Sequence, residues 1–433
     1  MIMVALEGFI VAYSFINLIL MIKKYKRFHS IYPVIAVFDL VMVVPLFLEM
    51  YFGIPDIPRD VYMNFVRAME DQTTLLIYCL FVLLAQLMFT YELRRIKRLD
   101  RSVTRTNDIQ EFLLFIQDFK YRKIVVGICY IIVAASVFSV IVAPNPMYYL
   151  TFRNVHIQVS DSIARYSEHV ILPLFDLLVG AIIALKLFDS KNKIGGVIFR
   201  IILIVFFTVV NGKRTYLMII IGVFFLIDLL KQGSLKKIAP KYVFLFGIVA
   251  VYFYAYMYIT DKISYNSDWY YEMQEYIFRS MHVRFSIYAT LHHATLHPEK
   301  IHILDYPGQS MLYSLFFFIP RAIWISKPYP YIDYYMRGVL GLSSLSNVTY
   351  HMPASYYPEF VSNFGILGLA LSLIFTIWIM RYFDKRKTAC KLLGTALIAL
   401  LNVYYYNDLL KIVAMFILYL CITEKYRFVI GRR

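Results

Sequence analysis

The chain has 433 residues, 60 % of them hydrophobic and only 17 % charged, and its mean hydropathy is +0.63. A soluble domain carries about 25 % charged residues, so this composition excludes an ordinary soluble protein and points to a single embedded domain over residues 1–433. The net charge of +16 has no soluble basic domain to carry it, so nucleic acid is not an expected partner.

A helix crosses a bilayer with about 20 apolar residues, and shorter ones are tolerated inside a bundle. Taken in chain order, the apolar runs predict crossings at 3–22, 31–52, 74–93, 124–144, 170–187, 194–210, 216–230, 242–260, 364–382, 392–406 and 409–422. The fold class expected is therefore an all-α polytopic membrane protein of about eleven transmembrane helices. The first run is followed by Lys23, Lys24, Lys26 and Arg27 rather than by a small-residue cleavage site, and it reads as a retained helix. Cys79, Cys129 and Cys421 fall in predicted helices and Cys390 in a predicted cytoplasmic loop, so no structural disulfide is expected.

Charge orients this bundle. With the N-terminus outside and the C-terminus in the cytoplasm, the inner segments and adjoining helix ends hold 30 of the 44 Lys and Arg, as the excess of basic residues in cytoplasmic loops requires. The apolar stretch 310–324 tests the scheme. If it crossed, the basic segments 381–391 and 425–433 would face outward. It is therefore read as a re-entrant or interfacial segment within one long extracytoplasmic loop, 261–363. A connection of that length is far beyond ordinary linkers and normally carries function.

The outward-facing basic residues run against the orienting rule and are the informative ones. Asn211-Gly212-Lys213-Arg214 forms a tight external turn, where an arginine fork can hold a phosphate in two-pronged fashion. The alternative for Lys213 and Arg214 is snorkelling to phospholipid headgroups. In the long loop, Arg279 and His282 share a helical face, with Arg284 on a neighbouring one. Farther on, Pro320-Arg321-Ala322-Ile323-Trp324-Ile325-Ser326-Lys327-Pro328 places Arg321 and Lys327 around Trp324. Such a group either stacks on sugar and holds phosphate or anchors the loop at the interface. His292, His293 and His297 lie close together. A three-histidine metal site is one reading, and the polar interfacial stretch is preferred, so no metal and no cofactor is expected. Next to the ninth predicted helix, His351 and Glu359 are titratable groups at the outer interface, where a base would act on an acceptor hydroxyl. His351 reads equally as a satisfied surface histidine. Gly365 and Gly368 allow close approach of that helix to a neighbour.

The Gly-Lys-Arg turn, the Pro-Arg-x-x-Trp-x-x-Lys-Pro stretch and the Glu359-Phe-x-x-Asn-Phe-Gly-x-x-Gly368 run resemble the oligosaccharide repeat-unit polymerases, the Wzy-type polymerases of bacterial O-antigen and capsule assembly. The resemblance implies a metal-independent glycosyltransferase with a C-type membrane fold in the bacterial inner membrane. It would transfer a glycan from undecaprenyl pyrophosphate to the non-reducing end of another lipid-linked repeat unit. It also implies that external arginines hold the pyrophosphates and that a chain-length regulator is a partner, alongside membrane lipids. No single catalytic carboxylate carries over from the family, so the expected catalytic residues, Glu359, His351 and Arg321, rest on the reading of the residues above. Lys213, Arg214, Arg279, His282, Arg284, Trp324 and Lys327 are the expected donor-binding residues.

Rival readings are the related O-antigen ligase and a flippase or secondary transporter. Transporters commonly show two related halves, and this chain shows none. A monosaccharide transferase would place an acid in the first external loop. Asp56 and Asp60 are there, but Arg59 and Arg67 beside them make a mixed-charge solvated loop. The embedded acids Glu7, Asp39, Glu49, Asp176 and Asp228 are scattered and read mostly as interfacial or bundle-pairing groups, although intramembrane acids often mark ion paths.

Overall fold

In a computed structural model, residues 2–24, 29–53, 57–99, 122–150, 160–188, 194–211, 283–299, 301–345, 354–386 and 388–403 are described, together with 217, 220–225, 227–228, 238, 240–245, 247–248, 251, 278 and 352. The described residues are mostly helical, with no strand among them, and six of their helices are long and apolar enough to cross a membrane. The chain is thus an α-helical protein built for a membrane.

Packing divides the chain into two compact units, one formed by Met1–Thr104 with Tyr270–Arg433 and the other by Arg105–Trp269. In the first unit, α1 (Ile2–Lys24) lies against α5 (Gln72–Leu99). At about 1.5 Å per residue, the 28 residues of α5 exceed a hydrocarbon core of about 30 Å, so its charged end, from Glu92 onward, emerges from the apolar layer. The second predicted crossing is α2 (Ile31–Phe38) and α3 (Val44–Phe52) joined by a π-helical turn at Asp39–Val43. Pro45 near the start of α3 has no N–H to give, and the Val44 N–H bonds five residues back to the Asp39 carbonyl. A widened turn of this kind absorbs the break without ending the helix. The amphipathic α4 (Arg59–Glu70) precedes α5.

In the second unit, α6 (Arg122–Ile141), α7 (Leu172–Phe188) and α8 (Ile194–Asn211) share an apolar core around Phe175, Ile182 and Phe207. Asp228 is buried there between Lys186 Nζ at 2.7 Å and Lys241 Nζ at 2.5 Å. It is a bundle-pairing acid.

The C-terminal part of the first unit carries α9 (Val283–Leu291), α10 (Gln309–Leu315), α11 (Tyr331–Val339), α12 (Tyr356–Phe364), α13 (Leu367–Asp384) and α14 (Thr388–Leu401). Every residue of α9 is buried, and the helix packs on α4, α5 and α12. The stretch 310–324 does not form a spanning helix. The seven residues of α10 reach about 10 Å, and turns follow from Phe316 to Ser326. The ninth predicted crossing, 364–382, is bounded differently: α12 stops at Gly365, which takes φ +62°, and α13 begins at Leu367. A Cβ on Gly368 would lie 2.2 Å from the Phe360 carbonyl oxygen, so the close approach expected of this glycine is to the backbone in the middle of α12. The tenth predicted crossing corresponds to the fourteen residues of α14. Part of 216–230, most of 242–260 and all of 409–422 lie outside the described residues.

Candidate functional site

The site is built on α12. Glu359 occupies its first turn and is 4 % exposed. One helical turn on, Asn363 donates from Nδ2 to the Glu359 carbonyl at 2.6 Å and to Ser310 Oγ at 2.8 Å. Its Oδ1 accepts the Gly308 N–H at 2.7 Å. Gly308 takes φ +88° at the N-terminus of α10, a backbone conformation that only glycine adopts cheaply. Asn363 therefore clamps the start of α10 against α12 and sets Ser310 beside the Glu359 carboxyl, with which the serine side chain is hydrogen bonded. Tyr331 closes another side, its hydroxyl 3.0 Å from Ser362 Oγ and 3.4 Å from Thr290 Oγ1. The fully buried hydroxyl of Tyr335 has no hydrogen-bond partner among the described residues.

No Lys or Arg among the described residues pairs with Glu359. Burial pushes its carboxyl up to about 7, opposed in part by the hydrogen bond with Ser310. A carboxyl there holds both protonation states near neutrality, which suits a group that takes and returns a proton.

The other expected ligands are placed differently. Arg284 is fully enclosed and ion-paired with Glu49 of α3, its guanidinium 5.0–5.8 Å from the rings of Tyr288, Phe285 and Tyr78. It lies inside the unit, away from an external phosphate, because α9 has no exposed face. Arg321 donates from Nη1 to the Lys327 carbonyl and from Nη2 to the Pro328 carbonyl, both at 2.8 Å, and lies 3.7 Å over the Tyr329 ring. Lys327 is buried and donates to the Phe317 and Ile319 carbonyls at 2.7 and 2.8 Å. These two cations satisfy four carbonyls of a loop that has no helix to do so. The half-buried Trp324 gives its indole N–H to Ser326 Oγ at 3.0 Å, between the exposed Ile323 and Ile325. Arg321, Trp324 and Lys327 thus hold their own loop, and the structure does not bring them to Glu359. Lys213, Arg214, Arg279, His282 and His351 lie outside the described residues.

The histidines form a polar corner. His292 Nδ1 is 3.2 Å from Thr74 Oγ1 and 3.4 Å from Asp71, and His293 Nε2 is 2.9 Å from the Asn64 carbonyl. Burial pushes His293 down to about 4, so it is neutral. Among the described residues no group of three His, Cys, Asp or Glu is placed to hold a metal ion.

Sequence reasoning passed over Ser310, Tyr331 and Asn363. The four-residue spacing of Glu359 and Asn363 puts them on one helical face, a legible signal. Ser310, 49 residues away along the chain, has none. Compared with known proteins, the chain matches no family, no characterised protein and no solved structure.

Proposed function

We propose that this protein is a polymerase of lipid-linked oligosaccharide repeat units in the bacterial inner membrane, with about eleven crossings, the N-terminus outside and the 261–363 loop extracytoplasmic. The observation that carries the reading is Glu359: a buried carboxyl poised near neutrality, with no cation paired to it among the described residues, next to one end of a membrane-length helix. The acceptor sugar hydroxyl attacks the donor anomeric carbon and passes its proton to Glu359. The bond from that carbon to the pyrophosphate oxygen breaks, and undecaprenyl pyrophosphate leaves with the electron pair. Lys213, Arg214, Arg279 and His282 are the external groups left to hold the pyrophosphate, since Arg284, Arg321 and Lys327 serve the protein's own groups. Arg321 is accordingly a loop-positioning residue in this reading, and His351 the second candidate base.

One observation favours a flippase as second reading. Asp39 accepts from Ser14 at 2.7 Å and from Gln86 at 2.6 Å, and Asn17 links Gln86 to Thr90. This polar column is buried inside helices built to span the membrane, where such groups mark pathways. The surface glycan of a deletion strain decides. Polymer reduced to a single surface repeat unit means polymerase. Full-length polymer held on undecaprenyl means ligase, and lipid-linked units trapped on the cytoplasmic side mean flippase. Cysteine labelling tests the orientation: Asn107, Ser234 and Lys387 label from inside, Asn266 and Ser344 from outside. Cytoplasmic labelling of Ser344 overturns every outer-face assignment after it.

A further inference from the structure

Between α5 and α13 runs a groove of about 500 Å³ that opens on the outside of the helix bundle. Leu87, Met88 and Tyr91 form one wall, and Ile374, Ile377 and Trp378 the other. Trp378 is 61 % and Ile374 55 % exposed. One end is charged. Glu92, 2 % exposed, accepts Arg381 Nε on Oε1 at 3.1 Å, with Arg381 Nη2 on the same oxygen, and Arg95 Nε on Oε2 at 2.8 Å. Two guanidinium groups on one carboxylate leave a net charge of +1. Both remain partly exposed, at 42 % for Arg381 and 31 % for Arg95. Trp378 stacks on Tyr382, and Arg386 lies 4.5 Å over the Tyr382 ring. That aromatic and basic belt belongs at headgroup depth, so the groove's apolar walls run from the headgroup level into the hydrocarbon.

We propose that this groove is a binding site for one anionic glycerophospholipid, its acyl chain between α5 and α13 and its phosphodiester against Arg381 and Arg95. An apolar slot closed by a net positive end matches an amphiphile with an apolar tail and a single negative head. A zwitterionic lipid fills the slot equally well but brings no net charge to the end. By the proposed orientation the lipid belongs to the cytoplasmic leaflet, while the binding itself stands on groove and charge alone.

Trp378 is a built-in reporter. With Trp269 and Trp324 changed to Phe, the full-length protein in vesicles is titrated with phosphatidylglycerol or phosphatidylcholine brominated along the acyl chain, and Trp378 quenching is read. Brominated phosphatidylglycerol is expected to half-quench at about a fivefold lower mole fraction, the ~1 kcal/mol that one basic residue contributes at an anionic lipid surface. Arg381→Gln brings the end to zero charge and abolishes the preference. Glu92→Gln with Arg381→Gln restores +1, leaves no buried carboxylate short of a partner, and recovers it. Identical curves for the two lipids in the unmutated groove, a preference that survives Arg381→Gln, or a Trp378 that neither lipid quenches would each overturn the proposal. None of these readouts depends on glycan transfer.

Discussion

Glu359 and Glu92 are both buried, at 4 % and 2 % exposure, and their environments are opposite. Glu92 holds two guanidinium groups, Arg95 of its own helix and Arg381 of α13, and so ties α13 to α5. Glu359 has Ser310 and no cation among the described residues, so its charge is not compensated and its proton is exchangeable. Burial alone does not make an acid functional. A buried carboxylate with cations is a structural clamp, and one with only neutral donors is a titrating group.

The largest effect that tests this contrast is Glu359→Gln. Turnover on synthetic lipid-linked repeat units should fall at least about a hundredfold with donor binding unchanged, and thermal stability should hold or rise. Near wild-type turnover breaks the comparison on the Glu359 side. Arg214→Lys comes next. It keeps the charge and loses the fork, so polymer yield should drop by the equivalent of about 1.5–3 kcal/mol at normal expression. Wild-type polymer length would make the external turn a headgroup anchor instead.

The same chemical change at the other acid should do the reverse. Glu92→Gln should lower the stability of the detergent-solubilised protein by about 1.5–3 kcal/mol, the worth of a charged hydrogen bond, and leave turnover per folded molecule intact. An unchanged melting temperature would remove the clamp role. A pH series then separates the two acids. As a base, Glu359 works deprotonated, so turnover should climb with pH and level off above about 7. Its effect on stability has the opposite sign. The folded protein keeps the proton where the unfolded chain has lost it, so stability from Glu359 is full below the ordinary carboxylate range and declines as pH rises toward about 7, by ~1.4 kcal/mol per unit. Glu359→Gln should flatten both curves. The smallest effect is expected at Arg321→Lys. One ammonium cannot match the fork on the Lys327 and Pro328 carbonyls, so about 1 kcal/mol of stability goes while turnover persists. A hundredfold loss of turnover there would return Arg321 to the catalytic group.

Much of the fold was legible in the chain, because an apolar run of fixed length has one stable answer in lipid, a helix with its backbone bonds made internally. The runs 3–22, 74–93, 124–144 and 170–187 each match a membrane-length helix within a few residues, apart from the longer charged end of α5. The break at Gly365 and the short α10 were less legible, since both are set by a tight turn and by Asn363 reaching across from another helix. For the candidate site the division is sharper. Glu359 was found as an acid beside the start of an apolar helix. That Arg284 turns inward to Glu49, and that Arg321 and Lys327 satisfy carbonyls, could not be read. A cation's partner is decided by which unsatisfied group the fold brings near it.

By itself the sequence determined that this is a helical protein with apolar runs of membrane length, and that an acid stands beside the start of its ninth apolar run. Apolar length acts locally, segment by segment, and needs no knowledge of neighbours. Only the tertiary structure decided which charges are silenced and which stay exchangeable. Glu92 met two arginines, one of them 289 residues farther along the chain, and Glu359 met a serine. A carboxylate's protonation depends on the charges and dipoles within a few ångströms, and those come from segments that sequence order keeps far apart.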